Sequence, residues 1–209
     1  MRIPVTIAVF LLVTLLGTSA YCGLGRGHYL SVSLQGTEVE GDFDGSWMLY
    51  GGGVVIDVPE VGTGYGLGVG YGFQSSGFLG GGADLRVTSQ DAGDYGSGTF
   101  NLAGHLIFSP LHSRVQPFVK LGACLNMMWV DESRFMDGGS TADTADYTGL
   151  GFEVIPGIDV GLSTGDRIRG LRFEFGYRTI NYGKVNTVEI DDGLDGTTYL
   201  ASVSYIHGF

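Results

Sequence analysis

A two-residue alternation of apolar with small or polar residues, returning along most of the chain, limits what this sequence can fold into. From Gly64 the sequence reads GYGLGVGYGF, so Tyr65, Leu67, Val69, Tyr71 and Phe73 share one face of an extended chain and Gly66, Gly68, Gly70 and Gly72 the other. The same period recurs seven more times. Leu30, Val32 and Leu34 alternate with Tyr29, Ser31, Ser33 and Gln35, and Leu79, Gly81, Ala83, Leu85 and Val87 with Gly80, Gly82, Asp84, Arg86 and Thr88. Phe100, Leu102, Leu106 and Phe108 flank Asn101 and His105, and Val119, Leu121, Ala123, Leu125 and Met127 oppose Lys120, Gly122, Cys124 and Asn126. Leu150, Phe152, Val154, Ile158 and Val160 oppose Gly151, Glu153, Gly157, Asp159 and Gly161. Leu171, Phe173, Phe175 and Tyr177 face away from Arg172, Glu174 and Arg178, and a terminal run carries Tyr199, Ala201, Val203, Tyr205, His207 and Phe209 on one face. Eight such runs of about ten residues predict an all-β chain, an eight-stranded antiparallel up-and-down barrel that crosses a membrane.

Composition excludes the competing classes. Gly is 38 of 209 residues without a G-X-Y period and Pro only 5, which fits neither collagen nor a Pro-rich disordered tract. Charged residues are only 16% of the chain and aromatics 12%, the reverse of a disordered sequence. The start reads Arg2, an apolar stretch from Ile3 to Leu16, then Gly17, Thr18, Ser19 and Ala20. A basic region, a short apolar core and small residues at the cleavage positions predict a signal peptide over 1–20 and a barrel domain over 21–209. Cys22 lies close behind, but Tyr21 stands where a lipidation signal demands a small residue. No later segment is apolar enough for a spanning helix, so a spanning chain must close into a barrel to satisfy its backbone in lipid.

Alternation does not say which face is outside. A soluble barrel would turn a Lys- and Glu-rich face to water, whereas the polar face here is Gly, Ser and a few charges of both signs, suited to a narrow lumen. The apolar face carries aromatics at both strand ends: Tyr65, Phe100, Trp129, Phe152, Tyr177 and Tyr199 at one rim, Tyr71, Phe73, Phe108 and Phe209 at the other. Two such girdles mark the two interfaces of a membrane. Connections alternate in length, with long polar stretches at 37–62, 89–98, 130–148 and 182–196 and shorter ones at 74–77, 109–116 and 163–170. Outer-membrane barrels keep short turns in the periplasm and long loops outside, which puts both termini in the periplasm. Of the 22 acidic residues 17 fall in the four long connections, beside only Arg134 and Lys184, so the net charge of −11 belongs to the outer surface.

The leader, the Gly-aromatic strand GYGLGVGYGF, the strand QPFVKLGACL and the alternating end YIHGF resemble the small OmpA/OmpX-like, porin-like outer-membrane barrel family over residues 27–209. That resemblance implies a Gram-negative outer membrane, contact with its lipid and lipopolysaccharide, and assembly by the barrel-assembly machinery. Ala201, Val203, Tyr205 and Phe209 would carry the assembly signal, with His207 where an aromatic is commoner.

Fold does not fix activity. The lumen-facing charges Asp84, Glu153, Asp159 and Glu174 balance Arg86, Lys120, Arg172 and Arg178, and eight strands leave an interior that side chains can fill. A plug of ion pairs is expected, with Arg172, Glu174 and Arg178 reaching across toward the space at Gly80 and Gly82. A narrow solute path is the alternative, and so is transport of hydrophobic solutes as in OmpW-like barrels. The four histidines, His28, His105, His112 and His207, make no nucleophile, base and orienting group, and the His-x-Ser-Asn signature of lipid A deacylases is missing. No enzyme activity, cofactor, metal centre or nucleic-acid partner is expected, and a monomer is. Asp42-Phe43-Asp44-Gly45 and Asp191-Asp192-Gly193 could hold divalent cations, although neither completes an EF-hand. A Cys22–Cys124 disulfide is not expected, because Cys124 lies well up a strand and bridged Cα atoms stay within about 7 Å. The expected role is a surface scaffold whose acidic loops serve envelope integrity, adhesion or interaction. Within it, the apolar stretch WMLYGGGVVIDV of the first loop is expected to extend the strands or to meet a partner.

Overall fold

The computed structural model describes residues 27–45, 47–50, 54–75, 78–92, 95–110, 114–137, 140–162, 169–186 and 188–209, and among these described residues the alternation gives ten strands and no helix. The expected signal peptide and Cys22 lie outside the described residues. In chain order the strands are β1 (Gly27–Gly41), β2 (Trp47–Tyr50), β3 (Val54–Asp57), β4 (Thr63–Gln74), β5 (Leu79–Ala92), β6 (Tyr95–Phe108), β7 (Val115–Asp137), β8 (Ser140–Gly161), β9 (Arg169–Val185) and β10 (Val188–Gly208). Eight of them close a ring in the order β1-β4-β5-β6-β7-β8-β9-β10, every pairing antiparallel.

Register fixes the stagger of the ring. From Tyr29 the paired residues run through Gly72, Gly82, His105, Gly122, Glu153, Arg178 and Thr198 and return to β1 at Val39, ten residues further on. Such an offset requires tilted strands, because closing a sheet couples tilt to stagger. Over the length that all eight strands share, closure also leaves no edge, the condition for holding a sheet in hydrocarbon.

The apolar face points out. Val32, Leu67, Val69, Leu106, Leu150 and Phe175 are exposed, whereas Arg86, Lys120, Glu153, Arg172 and Arg178 are buried inside. Gly-rich positions let the wall close tightly: a Cβ on Gly72 would overlap the Tyr29 ring in the lumen, and one on Gly81 would meet the Phe73 ring on the outer face.

Three of the four stretches expected as long loops are instead largely strand. The β5–β6, β7–β8 and β9–β10 hairpins carry their ladders through 89–92 and 95–98, 130–137 and 140–148, and 182–185 and 188–196. Their polarity had suggested loops. In the ladder it reads as an inverted alternation: toward this distal end Val39, Met128, Val130, Ala145, Tyr147 and Leu194 point inward, while Glu38, Glu40, Asp131, Asp146 and Asp195 point outward. Apolar residues face lipid in the middle of the wall and face the interior above it, so the level at which the pattern inverts is where hydrocarbon ends and water begins.

The first long connection folds back on the barrel. WMLY forms β2, VVID forms β3, and β3 pairs with β7 through Val55–Met136 and Ile56–Phe135. It takes a place beside β7 that β6 has vacated, since the β6–β7 ladder ends at Ser97–Val130.

Candidate functional site: the filled lumen and its distal cap

The barrel interior is stacked in three layers, beginning at the proximal end where β1 starts and β10 finishes. The first is a small apolar cluster of Tyr29, Ile107, Phe118 and Ile206. Arg172 lies across it, its guanidinium 5.1 Å from the Tyr29 ring centroid and 4.6 Å from that of Phe118. The same guanidinium donates to both carboxylate oxygens of Asp159, at 2.7 and 2.9 Å, and to the Tyr29 hydroxyl at 3.1 Å. A bidentate Arg–carboxylate pair between aromatic faces is a rigid floor, because the fork fixes both partners and the rings shield them.

The second layer is ionic and spans the lumen. Lys120 on β7 bridges Asp84 on β5 at 3.0 Å and Glu174 on β9 at 2.5 Å. Arg86 holds Asp84 at 2.8 Å and reaches from β5 to Glu153 on β8 at 3.2 Å. Arg178 donates two bonds to the same Glu153 oxygen, at 2.9 and 3.0 Å. His105 stands between the two carboxylates, paired with Glu153 through Nε2 and 3.6 Å from Asp84 through Nδ1. Glu174 also accepts from the Ser202 hydroxyl at 2.8 Å. All eight lumen charges named from the sequence therefore stand in ion-pair contact within two groups, Arg172–Asp159 and the network of the other six. Their partners differ from the sequence expectation in one respect. The spaces at Gly80 and Gly82 are closed by β4, whose Phe73 and Tyr71 carbonyls and Gln74 lie where a Cβ would sit, so Arg172, Glu174 and Arg178 pair with nearer strands. The longest crossing belongs to Arg86. His105, absent from the expected network, joins Asp84 to Glu153 alongside Arg86.

Above the charges lies a third layer that sequence reasoning missed. Met128, Val130, Ala145, Tyr147, Ile180, Tyr182, Val185, Ile190 and Leu194 form one apolar cluster with Phe43, Val58 and Val61 from the first connection. Gly41 and Gly45, with φ of 113° and 81°, bracket Phe43 and turn the chain over the barrel mouth in a conformation other residues rarely adopt. Phe43 then meets Tyr147 and Tyr182 edge-on, with centroids 5.4 and 5.1 Å away. Edge-to-face rings at these separations favour a fixed geometry. Below them the Tyr182 hydroxyl donates to Asn126 at 2.9 Å, tying the apolar cap to the polar lumen. Backbone bonds anchor the connection: Asp42 N–H donates to the Asp195 carbonyl at 2.9 Å, Val61 N–H to Phe43 at 3.3 Å and Gly62 N–H to Asp91 at 2.8 Å. The missed signal is the inward apolar half of the distal alternation, hidden by the acidic residues between.

Cys124 is buried with this cluster and free. Of the carboxylates considered for divalent cations, Asp42 accepts the Asp195 amide at 2.8 Å, and the side chains of residues 191 and 192 lie outside the described residues. The terminal strand forms the seam of the barrel: Tyr205 pairs with Val32, Val203 with Leu34 and Ala201 with Gly36, while Phe209 N–H donates to the His28 carbonyl at 3.1 Å. The His28 ring stacks on Tyr71 and Phe209, and its Nδ1 bonds the Tyr71 hydroxyl at 2.6 Å.

An outward apolar belt and a closed antiparallel ring agree with the similarity of this chain to known proteins. The family model of the outer membrane protein β-barrel domain matches residues 8–206. No curated protein matches the sequence. Among solved structures, the chain is similar to neisserial surface protein A of Neisseria at a TM-score of 0.54 and 19% identity, covering 88% of this chain and 97% of that one. It is also similar to Ail, the attachment invasion locus protein of Yersinia pestis, at a TM-score of 0.48 and 13% identity, covering 87% and 99%. The N-terminal β-barrel domain of Pseudomonas aeruginosa OprF aligns with a TM-score of 0.42 at 8% identity, covering 88% and 99%. The neisserial likeness is one of fold. Matched over most of its length, the chain belongs to the outer membrane protein β-barrel family.

Proposed function

We propose that this protein is a non-enzymatic surface scaffold of a Gram-negative outer membrane, a closed barrel that holds a folded, acidic distal domain outside the cell. Residues 1–20 would direct export, and Ala201, Val203, Tyr205 and Phe209 on the seam strand would be read by the assembly machinery. The observation that carries this reading is the filling of the lumen at three levels: the Arg172 floor, the ionic layer centred on Glu153, and the apolar cap that Phe43 completes. A conducting pore needs a hydrated path, and each of these layers replaces water with paired or apolar side chains. The distal end carries most of the acidic residues, so it would repel anionic partners, attract cations, and meet lipopolysaccharide through divalent ions.

Two further observations favour a scaffold over the alternatives. The ion-pair partners of His105 are carboxylates, which gives it no nucleophile to activate among the described residues. A lateral route for hydrophobic solutes would need an opening in the wall. The lipid-facing depression beside Gly104, Ala123 and Phe152 ends on a closed wall, behind which the His105 and Glu153 side chains are 1% and 0% exposed. The neisserial barrel of like fold is a surface protein, the placement proposed for this chain. Reconstitution into liposomes tests the reading. Small sugars and amino acids should enter no faster than into protein-free vesicles, and flux that rises with the amount of protein would overturn the plugged scaffold.

A further inference from the structure

The first connection contains a strand edge that barrel closure does not satisfy, and unlike the distal edges of β8 and β10 it belongs to a strand outside the ring. The sheet order begins at β2, which pairs with β3 alone, so one side of Trp47–Tyr50 presents unpaired N–H and C=O groups at the distal end. Exposed edges are usually protected by Lys, Pro, bulges or very short length, and β2, at four residues, has only the last of these. The sequence WMLY contains no charge and no Pro, and its β-propensity is high. It is, however, set among charges of one sign: from Thr37 to Gly62 the chain has Glu38, Glu40, Asp42, Asp44, Asp57 and Glu60 and no Lys or Arg.

That arrangement selects what can add to the edge. A second copy pairing β2 to β2 would bring two six-carboxylate segments together, and like charges beside an apolar strand act as gatekeepers against such self-association. An extended segment with Lys or Arg flanking apolar residues would satisfy the backbone groups and neutralise the carboxylates at once. We propose that β2 is a docking edge for a basic, extended peptide segment of a partner protein, which adds to the β2-β3-β7 sheet as a further strand. This inference rests on the scaffold reading and names its partner class. The sheet it extends is anchored in the barrel through β3 and β7, so the docked strand would be held rigidly above the membrane.

The test uses the full mature protein in liposomes and a short synthetic peptide of alternating Lys and Val, with two controls: the alternating Glu and Val peptide and the Lys peptide interrupted by Pro. Binding is read by fluorescence titration and located by amide hydrogen exchange. The Lys peptide is expected to bind in the micromolar range and to slow exchange at residues 47–50, and neither control should do so. Neutralising three of the carboxylates together, as Asp44→Asn, Asp57→Asn and Glu60→Gln, should weaken binding about tenfold and flatten its salt dependence. Equal binding of the Pro-interrupted peptide would reduce the effect to plain charge attraction and overturn strand addition. Absent binding, protection at other strands, or protection of 47–50 that grows with protein concentration and no peptide would also overturn it. Solute flux is measured in the same vesicles: flux refutes the scaffold reading, whereas missing peptide binding in tight vesicles refutes the docking edge alone.

Discussion

Replacing Glu153 with Ala removes the carboxylate on which the ionic layer converges. Its side chain is fully buried, and it holds Arg86 at 3.2 Å, Arg178 at 2.9 Å and His105. Arg86 would keep Asp84 at 2.8 Å, but the ion partner that the structure gives Arg178 among the described residues would be gone. Leaving a buried cation unpaired costs about 3–5 kcal/mol. With a urea dependence of about 1–3 kcal/mol per molar, the midpoint of unfolding should fall by at least about 1 M. The control is Arg178→Ala, which leaves Glu153 paired with Arg86 and His105. Because the double variant no longer strands a charge, it should be more stable than the sum of the two single losses predicts, by about 1–3 kcal/mol. The assay is reversible urea unfolding in lipid bilayers, followed by tryptophan fluorescence and by the mobility shift between folded and heated protein. A Glu153→Ala loss below about 1 kcal/mol, or strict additivity with Arg178→Ala, would refute the tightly paired lumen.

Three other perturbations probe the remaining layers and the seam. Phe43→Ala removes the ring between Tyr147 and Tyr182 and should cost about 3 kcal/mol locally, read as faster hydrogen exchange and protease cleavage in residues 42–62 with the β8–β9 ladder still protected. Gly72→Ala drives a methyl into the Tyr29 ring and should destabilise by about 1–3 kcal/mol, and Tyr29→Ala in the same chain should recover part of that loss. Removing Phe209 takes away the residue that closes the seam against His28, and assembled protein in the outer membrane, measured by its heat-dependent gel shift, should drop severalfold while precursor accumulates.

How much of this was legible in the sequence depended on where one alternation dominated. Tyr65 to Phe73 told strand, face and lipid exposure together, because Gly at every second position leaves no other apolar stripe to choose. The charges Asp84, Arg86, Lys120, Glu153, Asp159, Arg172, Glu174 and Arg178 were recognisable as inward for the same reason, since each sits opposite the lipid-facing set. Their pairing was not recognisable. It depends on the stagger that sets β5 against β8 across the lumen, and stagger is a property of closure rather than of any one strand. The cap was missed because its alternation runs in the opposite sense: Ala145, Asp146 and Tyr147 read as a polar loop until the ladder shows the acid outside and the apolar residues within. His105 was read as a lone lumen residue, and only the folded wall brings Glu153 and Asp84 to its two nitrogens.

The closed lumen is tested most directly by the thiol that lies inside it. Cys124 is buried beneath the cap with Ala103, Met128 and Ile180, so in a Cys22→Ser variant it reports on water access from the distal side. Folded protein in sealed vesicles is treated with a small charged methanethiosulfonate, and modification is followed by intact mass. The plugged scaffold requires that Cys124 stay unmodified until the barrel is unfolded; reaction in the folded state at a rate near that of a free thiol would contradict it.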